Sequence, residues 1–480
     1  MSVTTGGEAR QDLRKDAVGV AHIVFFVVAA AAPLTAVVGA SPAAFAFGNG
    51  PGVPGTYLLV GVLYAVFSVG FTAMNRFVGS AGGFYAYIAN GLGRPAGLAC
   101  AFVTLATYLA IEIAVVGLFG FFGNTIMVSA GGPEIHWFVY AVVLMAAVYI
   151  CGARNIEFSG RVLGLCMIAE IAILGLLGIA VLIGGGGPEG VSLKPYGPSA
   201  VFSSGFGVAL VFVVASFIGF EATVIFGEEA RDPKRTIARA TYWAVGIIAL
   251  FYAFASWTVA VHYGPSQIAQ QAADHASTLY LTAVQARLGA VAGIVMNALL
   301  ITSLFACTLS FHNTINRYLF ALGREGIASG HVARTHDVHQ SPYVAGIVQT
   351  AVLFVATLLF VLAKASPYDV VFAWMSTFAS LGILMVQIVV SGAVITFFRN
   401  NRRGIGLWPA LIAPALSALG LAACLVTMIA NLALVSGSES LAIDGLPVAL
   451  VLIGIAGYLF ALWIRRARPA VYENLGRSFG

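Results

Sequence analysis

Three acidic residues, Glu112, Glu170 and Glu221, lie within long apolar stretches of the sequence. An acidic side chain at the centre of a membrane costs at least ~2.5 kcal/mol on insertion scales, so such residues should face the interior of a helix bundle and serve a function. Because burial disfavours the charged form of a carboxyl group, each is suited to binding and releasing a proton near neutral pH. Tyr108 precedes Glu112 by four residues and shares its helix face, so the two side chains are predicted to line one wall.

Irregular sequence inside the first apolar stretch predicts a second kind of chemistry, anion binding by backbone. Ala32-Pro33-Leu34-Thr35 interrupts an otherwise helical run, and Gly39-Ala40-Ser41-Pro42 is a second possible position of the break. Proline is well tolerated at the first position of a helix, so a half-helix that begins at Pro33 would have unpaired N–H groups at its start. With the positive end of the helix dipole, these groups would bind a carboxylate-sized anion near the middle of the membrane. The donors would be the N–H groups of Leu34, Thr35 and Ala36.

The sixth apolar stretch contains a similar interruption. In Ser216-Phe217-Ile218-Gly219-Phe220-Glu221-Ala222, a glycine and an acid occupy positions where lipid-facing side chains would be expected. Broken helices at corresponding positions of two halves of a chain are typical of inverted-repeat transporters, in which the irregular backbone lines a cavity. We therefore expect Phe217, Gly219 and Phe220 to contact a substrate together with residues 32–36 of the first break.

The composition indicates that membrane-spanning helices position these residues. Of 480 residues, 60% are hydrophobic and 9% are charged, and the mean hydropathy is +0.95, whereas a soluble domain carries about 25% charged residues. The 33 phenylalanines and only 5 cysteines exclude disordered and disulfide-stabilised secreted proteins. The apolar runs are long rather than alternating, which favours helices over a β-barrel. We predict an all-α membrane protein with twelve spans, at 18–47, 55–77, 95–125, 135–152, 159–184, 200–227, 240–263, 289–322, 343–363, 368–398, 407–432 and 446–464.

The distribution of basic residues predicts the orientation. With a cytoplasmic N-terminus, all but three of the 24 lysines and arginines fall on the cytoplasmic side, and the exceptions are Lys194, Arg287 and Lys364. This agrees with the positive-inside rule and predicts a protein of the cytoplasmic membrane with both termini in the cytoplasm. The net charge of +5 follows from this topology, so no nucleic-acid partner is expected. The predicted parts are a cytoplasmic segment at 1–17, two repeats at 18–184 and 200–398, two further spans at 407–464 and a cytoplasmic tail at 465–480.

Other reactive residues give no sign of enzymatic chemistry. The five cysteines lack paired metal-binding spacing and are interpreted as reduced, buried side chains. His312 lies singly at membrane depth, where a histidine is usually a hydrogen-bonded packing residue. No nucleophile with its base and no metal-binding motif lies within a span, so we predict neither an enzyme nor a cofactor.

Several motifs resemble those of the amino acid-polyamine-organocation (APC) superfamily of permeases. The motifs are the sixth-span sequence quoted above, Glu228-Glu229-Ala230-Arg231-Asp232-Pro233-Lys234-Arg235-Thr236-Ile237, Ala81-Gly82-Gly83-Phe84-Tyr85-Ala86-Tyr87, Asn316-Arg317-Tyr318 and Ala321-Leu322-Gly323-Arg324-Glu325-Gly326. They occur in the same order as in that superfamily and extend over spans one to ten. The resemblance implies the five-plus-five inverted-repeat (LeuT-like) fold, followed by two C-terminal helices.

The resemblance also implies roles for individual residues. In such permeases the substrate carboxylate binds at the first break, here Pro33-Leu34-Thr35, and the amine meets backbone carbonyls at both breaks. Phe311 takes the place of the aromatic gate of the eighth span, and Glu112 takes the substrate-facing position of the third. Glu170 falls near the place of a fifth-span lysine of some proton-coupled relatives. Two departures are the lack of glycine at the first break and Ala215 in place of a sixth-span aromatic residue.

These observations predict a secondary active transporter that imports amino acids or related amines with a proton. Glu170 and Glu221 are the candidates for coupling and gating, and spans 1, 2, 6 and 7 would rock against the rest. Two alternatives remain open. Glu112 and Glu221 could bind the ammonium groups of a cationic amino acid or polyamine in a transporter or exchanger, or Thr308 and Ser310 could bind Na⁺ in a symporter. A channel or receptor would need a polar pore or a soluble sensing domain, and the sequence offers neither.

Overall fold

In the computed structural model the chain is a bundle of helices joined by loops. The structure describes residues 19–78, 83–154, 160–228, 230, 232–336, 338–339, 341–400, 402–433 and 441–476. The predicted N-terminal segment at 1–17 and the last four residues of the predicted tail lie outside this part of the chain.

Each of the twelve predicted spans corresponds to one helix or to a pair of helices, so the prediction of an all-α membrane fold is confirmed. Ten helices among the described residues are long and apolar enough to cross a membrane, the fourth span is shorter, and the first is divided. The division of the chain into two inverted repeats stays a prediction. In order, spans 1 to 12 are Val20–Ala31 with Thr35–Phe47, Val53–Asn75, Arg94–Ser129, Trp137–Ala153, Gly160–Ile183, Phe206–Phe217 with Phe220–Glu228, Pro233–Tyr263, Ala290–Arg324, Tyr343–Leu362, Ala373–Asn400, Ala413–Ala430 and Leu441–Ala467.

Shorter helical elements connect the spans. Single π-helical turns at Pro367–Phe372 and Trp408–Ile412 lead directly into spans 10 and 11. The sequence analysis assigned no helix to the connection between spans 7 and 8, where the structure has two. The remaining short helices are Gly50–Gly52, Gly83–Leu92, Lys194–Tyr196, Pro198–Val201, Ile268–His275, Leu279–Leu288 and Pro469–Asn474.

Proline and glycine mark the ends of several spans. Span 7 begins at Pro233, which suits the first helical position because the missing N–H would have no partner there. The same span ends before Gly264, whose φ of +92° is a backbone conformation that residues with a Cβ rarely adopt. Local sequence therefore limits the length of this span at both ends.

The two divided spans lie in the interior of the bundle. In span 6, 94% of the most apolar window is buried, compared with 22% in span 12 and 28% in spans 9 and 11. Irregular backbone is tolerated at membrane depth only where protein or a cavity surrounds it, so the broken spans must be surrounded by intact ones. Spans 9, 11 and 12 present their exposed leucines, valines and isoleucines to the lipid.

Small residues allow spans 2 and 7 to approach closely. A Cβ atom built on Gly61 of span 2 would lie 2.3 Å from the Cβ atom of Ala249 in span 7. A similar approach joins the helix Gly83–Leu92 to span 10, because a Cβ atom on Gly91 would lie 2.4 Å from the carbonyl oxygen of Ala393. Close packing of this kind is a main source of helix association in lipid, where apolar surface alone gives little attraction between helices.

The segment after span 12 fastens three elements at one end of the bundle. The N–H of Gly476 donates to Glu325 Oε1 at 3.2 Å, and the Tyr85 hydroxyl donates to Glu325 Oε2 at 2.7 Å. Arg94, at the start of span 3, donates to the carbonyl oxygen of Glu473 at 2.8 Å and lies over the ring of Tyr472 at 5.3 Å. The end of span 8, the helix before span 3 and the start of span 3 are thus joined through residues 472–476.

The contact between spans 2 and 7 leads to a test of packing. Gly61→Ala should lower the stability by about 1–3 kcal/mol, because the added methyl group would overlap Ala249. Gly246→Ala is the matched control, since a Cβ atom at Gly246 in span 7 meets no other atom within 4 Å. The control should be neutral or stabilising by up to about 1 kcal/mol through helix propensity. Thermal unfolding of both variants in detergent measures the difference, and equal melting temperatures would contradict the close approach.

Candidate functional site

The helix of span 1 is interrupted at Ala32. This residue has a φ of +44°, which is unusual for any residue other than glycine, and the chain becomes helical again at Pro33. Thr35–Ala40 then forms a π-helix that continues into Ser41–Phe47. The gap therefore lies at the first of the two positions considered from the sequence, and Gly39 lies within the π-helical turns that follow it.

The N–H groups at the start of the second half of span 1 already have partners within the protein. Leu34 N donates to Glu170 Oε2 at 3.3 Å, and Thr35 N donates to Ser303 Oγ at 3.4 Å. Ala36 N donates to the carbonyl oxygen of Ala32 at 2.9 Å, as in a regular helix. The sequence predicts that all three donors are free for a substrate carboxylate. In this conformation the acceptor beside the break is the carboxyl group of Glu170, which extends from span 5.

Glu170 joins three spans through one carboxyl oxygen. Its side chain is buried, and Oε2 also accepts from the Ser303 hydroxyl of span 8 at 2.8 Å. The Thr35 hydroxyl donates to the same Ser303 Oγ at 3.2 Å. Among the residues that the structure describes, no basic side chain lies within ion-pair distance of Glu170. Its charge, when present, is therefore held by hydrogen-bond donors and by the positive end of a helix.

The break in span 6 is held by Glu221. The helix Phe206–Phe217 ends at the extended residue Ile218, and Gly219 follows with φ of +114°, a conformation that glycine adopts readily. Glu221 Oε2 accepts from Gly219 N at 3.0 Å, and Oε1 accepts from the Tyr108 hydroxyl of span 3 at 2.8 Å. The same side chain thus satisfies the exposed backbone and fastens the break to span 3.

Glu112 was predicted to contact substrate, and in the structure its partners lie on spans 8 and 9, so its contact with substrate stays a prediction. Gln349 Nε2 of span 9 donates to Glu112 Oε2, and Glu112 Oε1 lies 3.9 Å from His312 Nδ1 of span 8. Tyr108 and Glu112, four residues apart, both contact span 8, but the Tyr108 hydroxyl bonds to span 6 whereas the Glu112 carboxyl group bonds to span 9. The face of span 3 that is turned toward span 1 carries Ile111 and other apolar residues instead.

Phe217 and Phe220, also predicted to contact substrate, lie in an aromatic cluster, and their contact with substrate stays a prediction. Their rings pack against Tyr64 of span 2, with ring centroids 5.2 Å and 4.9 Å apart. Both are fully buried in this aromatic contact and do not line the cavity described next. Gly219 likewise contributes backbone to the break rather than a wall of the cavity.

A cavity lies between the two breaks and spans 3 and 8. Of the predicted site residues, Thr35, Ala36 and Phe311 line it, whereas Ala32, Pro33, Leu34, Tyr108 and the three glutamates do not. Thr35 and Ser216 supply the hydroxyl groups of an otherwise apolar surface. The complete lining is Ala31, Thr35, Ala36, Ala40, Ile111, Val115, Leu118, Ala215, Ser216, Ile218, Cys307, Phe311 and Phe372.

Most residues of the apolar lining were not among those predicted from the sequence. Ile111, Val115 and Leu118 recur at helical spacing on span 3, which is the signal that could have identified a common face. That spacing does not say which neighbour the face meets. Phe372 carried no signal, because it is the last residue of the π-helical turn that leads into span 10 and resembles any buried aromatic residue.

The sequence of the chain is similar to those of known permeases. Residues 22–470 match the family described as Amino acid permease. The branched-chain amino acid permease BcaP of Bacillus subtilis (strain 168) is 28% identical over 267 residues, which cover 54% of this chain and 51% of the relative. The aromatic amino acid transport protein AroP of Escherichia coli (strain K12) is 27% identical over 348 residues, 68% of this chain and 71% of the relative. A probable GABA permease of Pseudomonas aeruginosa is 25% identical over 353 residues, 71% of each. The chain thus spans about half the length of BcaP.

The contact between Tyr108 and Glu221 can be tested by removing one hydroxyl group. Tyr108→Phe should destabilise the protein by about 1–3 kcal/mol, because a buried carboxyl oxygen loses its donor. Tyr140→Phe is the control, since the buried Tyr140 hydroxyl has no hydrogen-bond partner in the structure. Thermal unfolding in detergent should show a clear decrease for the first variant and little change for the second. Similar shifts in both would mean that the hydroxyl of Tyr108 does not support the break.

Proposed function

This chain belongs to the amino acid permease family, and from that premise we propose that it is a membrane transporter that moves amino acids by alternating access between the two sides of the membrane. The observation that carries the proposal is the pair of helix breaks at Ala32 and Gly219, which flank one cavity in the interior of the bundle. Discontinuous helices at such a position are where transporters of this architecture bind substrate. The distribution of basic residues supports a cytoplasmic membrane location with both termini inside.

The lining of the cavity supports a neutral amino acid with an apolar side chain as substrate. Ile111, Val115, Leu118, Phe311 and Phe372 offer aliphatic and aromatic surface, and none of the buried glutamates reaches the lining. A cationic side chain would therefore meet no carboxylate there, and burying an unpaired ammonium group is costly. Two relatives named for branched-chain and aromatic amino acids agree with this class. The predicted alternative, a cationic amino acid or a polyamine, is less well supported.

Glu170 is proposed as the site that couples transport to protons. When ionised, its carboxylate neutralises the positive end of the half-helix that begins at Pro33, through the hydrogen bond from Leu34 N. When Glu170 takes up a proton, that helix end is free to attract a substrate carboxylate into the cavity lined by Thr35 and Ala36. Proton and substrate thus bind together, which is the requirement for symport.

A proton is favoured over Na⁺ as the coupling ion. Thr308, a predicted Na⁺ ligand, does not line the cavity, and its hydroxyl bonds within its own helix to the carbonyl oxygen of Leu304 at 2.8 Å. The hydroxyl that does reach the first break, that of Ser303, donates to Glu170. A single titratable carboxyl group therefore occupies the place where a cation would need several oxygen ligands.

The coupling role is tested with Glu170→Gln in proteoliposomes. Glutamine keeps an oxygen that accepts from Leu34 N but cannot bind a proton, so accumulation of leucine driven by a pH gradient should be lost. Exchange of internal for external leucine needs no net proton movement and should persist. Radiolabelled leucine measures both reactions in the same preparation.

The control for this variant is Glu134→Gln, which changes an exposed glutamate in the loop before span 4. It should accumulate leucine as the unchanged protein does. If Glu170→Gln still concentrated leucine with the original dependence on pH, the coupling role of Glu170 would be wrong. Accumulation driven by a Na⁺ gradient alone would contradict the choice of ion.

The substrate class is tested by filling the cavity. Ala215→Phe places a ring in the cavity and should reduce uptake of phenylalanine about tenfold relative to alanine, since small differences in pocket size change discrimination by this order. Val139→Phe, on a lipid-exposed position of span 4, should leave the ratio unchanged. Uptake of phenylalanine and of alanine by each variant gives the ratio. Competition by a panel of neutral, cationic and acidic amino acids shows which class the unmodified protein prefers. Lysine as the best competitor for the unmodified protein would contradict the proposed class.

A further inference from the structure

A second group of buried polar side chains lies outside the cavity, where spans 3, 8 and 9 meet. Glu112 and His312 are almost completely buried, and Gln349 holds one oxygen of Glu112 through its amide nitrogen. We propose that Glu112 and His312 form a proton-binding site that holds one proton between the carboxyl group and the imidazole ring. The proton-binding role of Glu170 is separate and lies at the first break.

Two buried polar atoms without hydrogen-bond partners are the first observation that supports this site. Glu112 Oε1 and His312 Nε2 are buried and have no hydrogen-bond partner. The distance from Glu112 Oε1 to His312 Nδ1 is 3.9 Å, within ion-pair reach but longer than a hydrogen bond. A buried polar atom without a partner costs about 1–3 kcal/mol, so such atoms in a well-packed region indicate a ligand or a function. A proton shared along this line would give the carboxyl oxygen its missing partner.

The charge of the pair is the second argument. With no proton, the carboxylate would be a buried and unpaired negative charge, and with two protons the imidazolium would be an unpaired positive charge. With one proton the pair is neutral overall, whether the proton lies on the carboxyl group or on the ring. In an apolar interior the one-proton form is therefore the favoured occupancy.

The neighbouring side chains do not supply a competing charge. Within the described part of the chain, His312 is the only basic residue at ion-pair distance from Glu112. Span 8 contributes Cys307, which lines the cavity. Span 4 contributes Tyr149, which faces Gly346 of span 9. Gln349 on span 9 carries no charge.

Two glycines, Gly152 of span 4 and Gly346 of span 9, leave room for the ring of His312 between these spans. A Cβ atom on Gly152 would lie 2.9 Å from His312 Cδ2, so the ring packs directly against the backbone of span 4. A Cβ atom on Gly346 would lie 3.6 Å from His312 Nε2 and 3.4 Å from Asn316 Nδ2. The Nε2 side of the ring therefore faces a position that a single methyl group would fill. That position also adjoins the polar amide of Asn316.

The experiment follows both partners of the pair while the pH is changed. Infrared spectra of the purified full-length protein report the protonated carboxyl group of Glu112, identified by its loss in Glu112→Gln. Magnetic resonance spectra of protein with isotope-labelled histidine report the ring nitrogens of His312, identified by their loss in His312→Gln. The carboxyl and ring signals should change over the same pH range.

The decisive result is the effect of each variant on the other partner. Glu112→Gln should move the pH at which the His312 signals change by at least about one unit, since the charged partner in ion-pair reach is removed. His136→Gln, which replaces an exposed histidine at the start of span 4, should leave the His312 signals unchanged. If the His312 signals respond to pH as before in Glu112→Gln, the shared proton is excluded.

His312→Gln provides a second variant should Glu112→Gln fail to fold. It removes the ring nitrogen in ion-pair reach of Glu112 Oε1, so the pH at which the Glu112 carboxyl signal changes should move by at least about one unit. An unchanged carboxyl signal in this folded variant would overturn the proposal. Transport is not measured in any of these experiments, so their failure would leave the proposed function and the role of Glu170 untouched.

Discussion

The structure depends on one constraint, which is that backbone groups released from a helix inside a membrane must find partners within the protein. Two breaks release such groups, at Ala32 and at Gly219, and in both cases a buried glutamate accepts from the N–H beside the gap. Each glutamate is itself costly in this environment unless donors surround it. The breaks and the acids therefore stabilise each other, and the charge on Glu170 or Glu221 cannot change without affecting the backbone it holds.

This arrangement separates two tasks that the sequence presents together. The acids hold backbone and lie behind the cavity, whereas the cavity itself is lined by aliphatic and aromatic side chains. Under the proposed function, the size and shape of an apolar surface would select among substrates, and such a surface discriminates modestly between similar side chains. Helix ends and the hydroxyl groups of Thr35 and Ser216 would bind the ends common to all amino acids.

The spans and the first break could be predicted from sequence, and the rotation of each span could not. Hydropathy identifies a span because length and composition suffice, and Pro33 marks a helix start because of its missing N–H. The positions of Glu112, Phe217 and Phe220 relative to the cavity could not be predicted, because a helix that is apolar on all sides carries no stripe that tells which side faces which neighbour. Only the tertiary contacts, such as those of Glu112 with Gln349 and of Phe220 with Tyr64, decide this.

The hydrogen bonds also distinguish contacts that the proposed rocking motion keeps from those that it must break. Tyr252 donates to the Ala31 carbonyl oxygen, and Tyr57 shares a hydrogen bond with Ser216, so these contacts stay within spans 1, 2, 6 and 7.

The bonds from Leu34 to Glu170 and from Tyr108 to Glu221 instead join a broken span to span 5 or span 3. A change of conformation that separates the two groups of spans has to break them, and it can do so only if substrate or protons replace the lost partners. The Glu112 contacts with Gln349 and His312 lie entirely within spans 3, 8 and 9 and would persist. In the proposed rocking motion, the hydrogen bonds of Glu170 and Glu221 would therefore cross the boundary between the two groups of spans, and those of Glu112 would not.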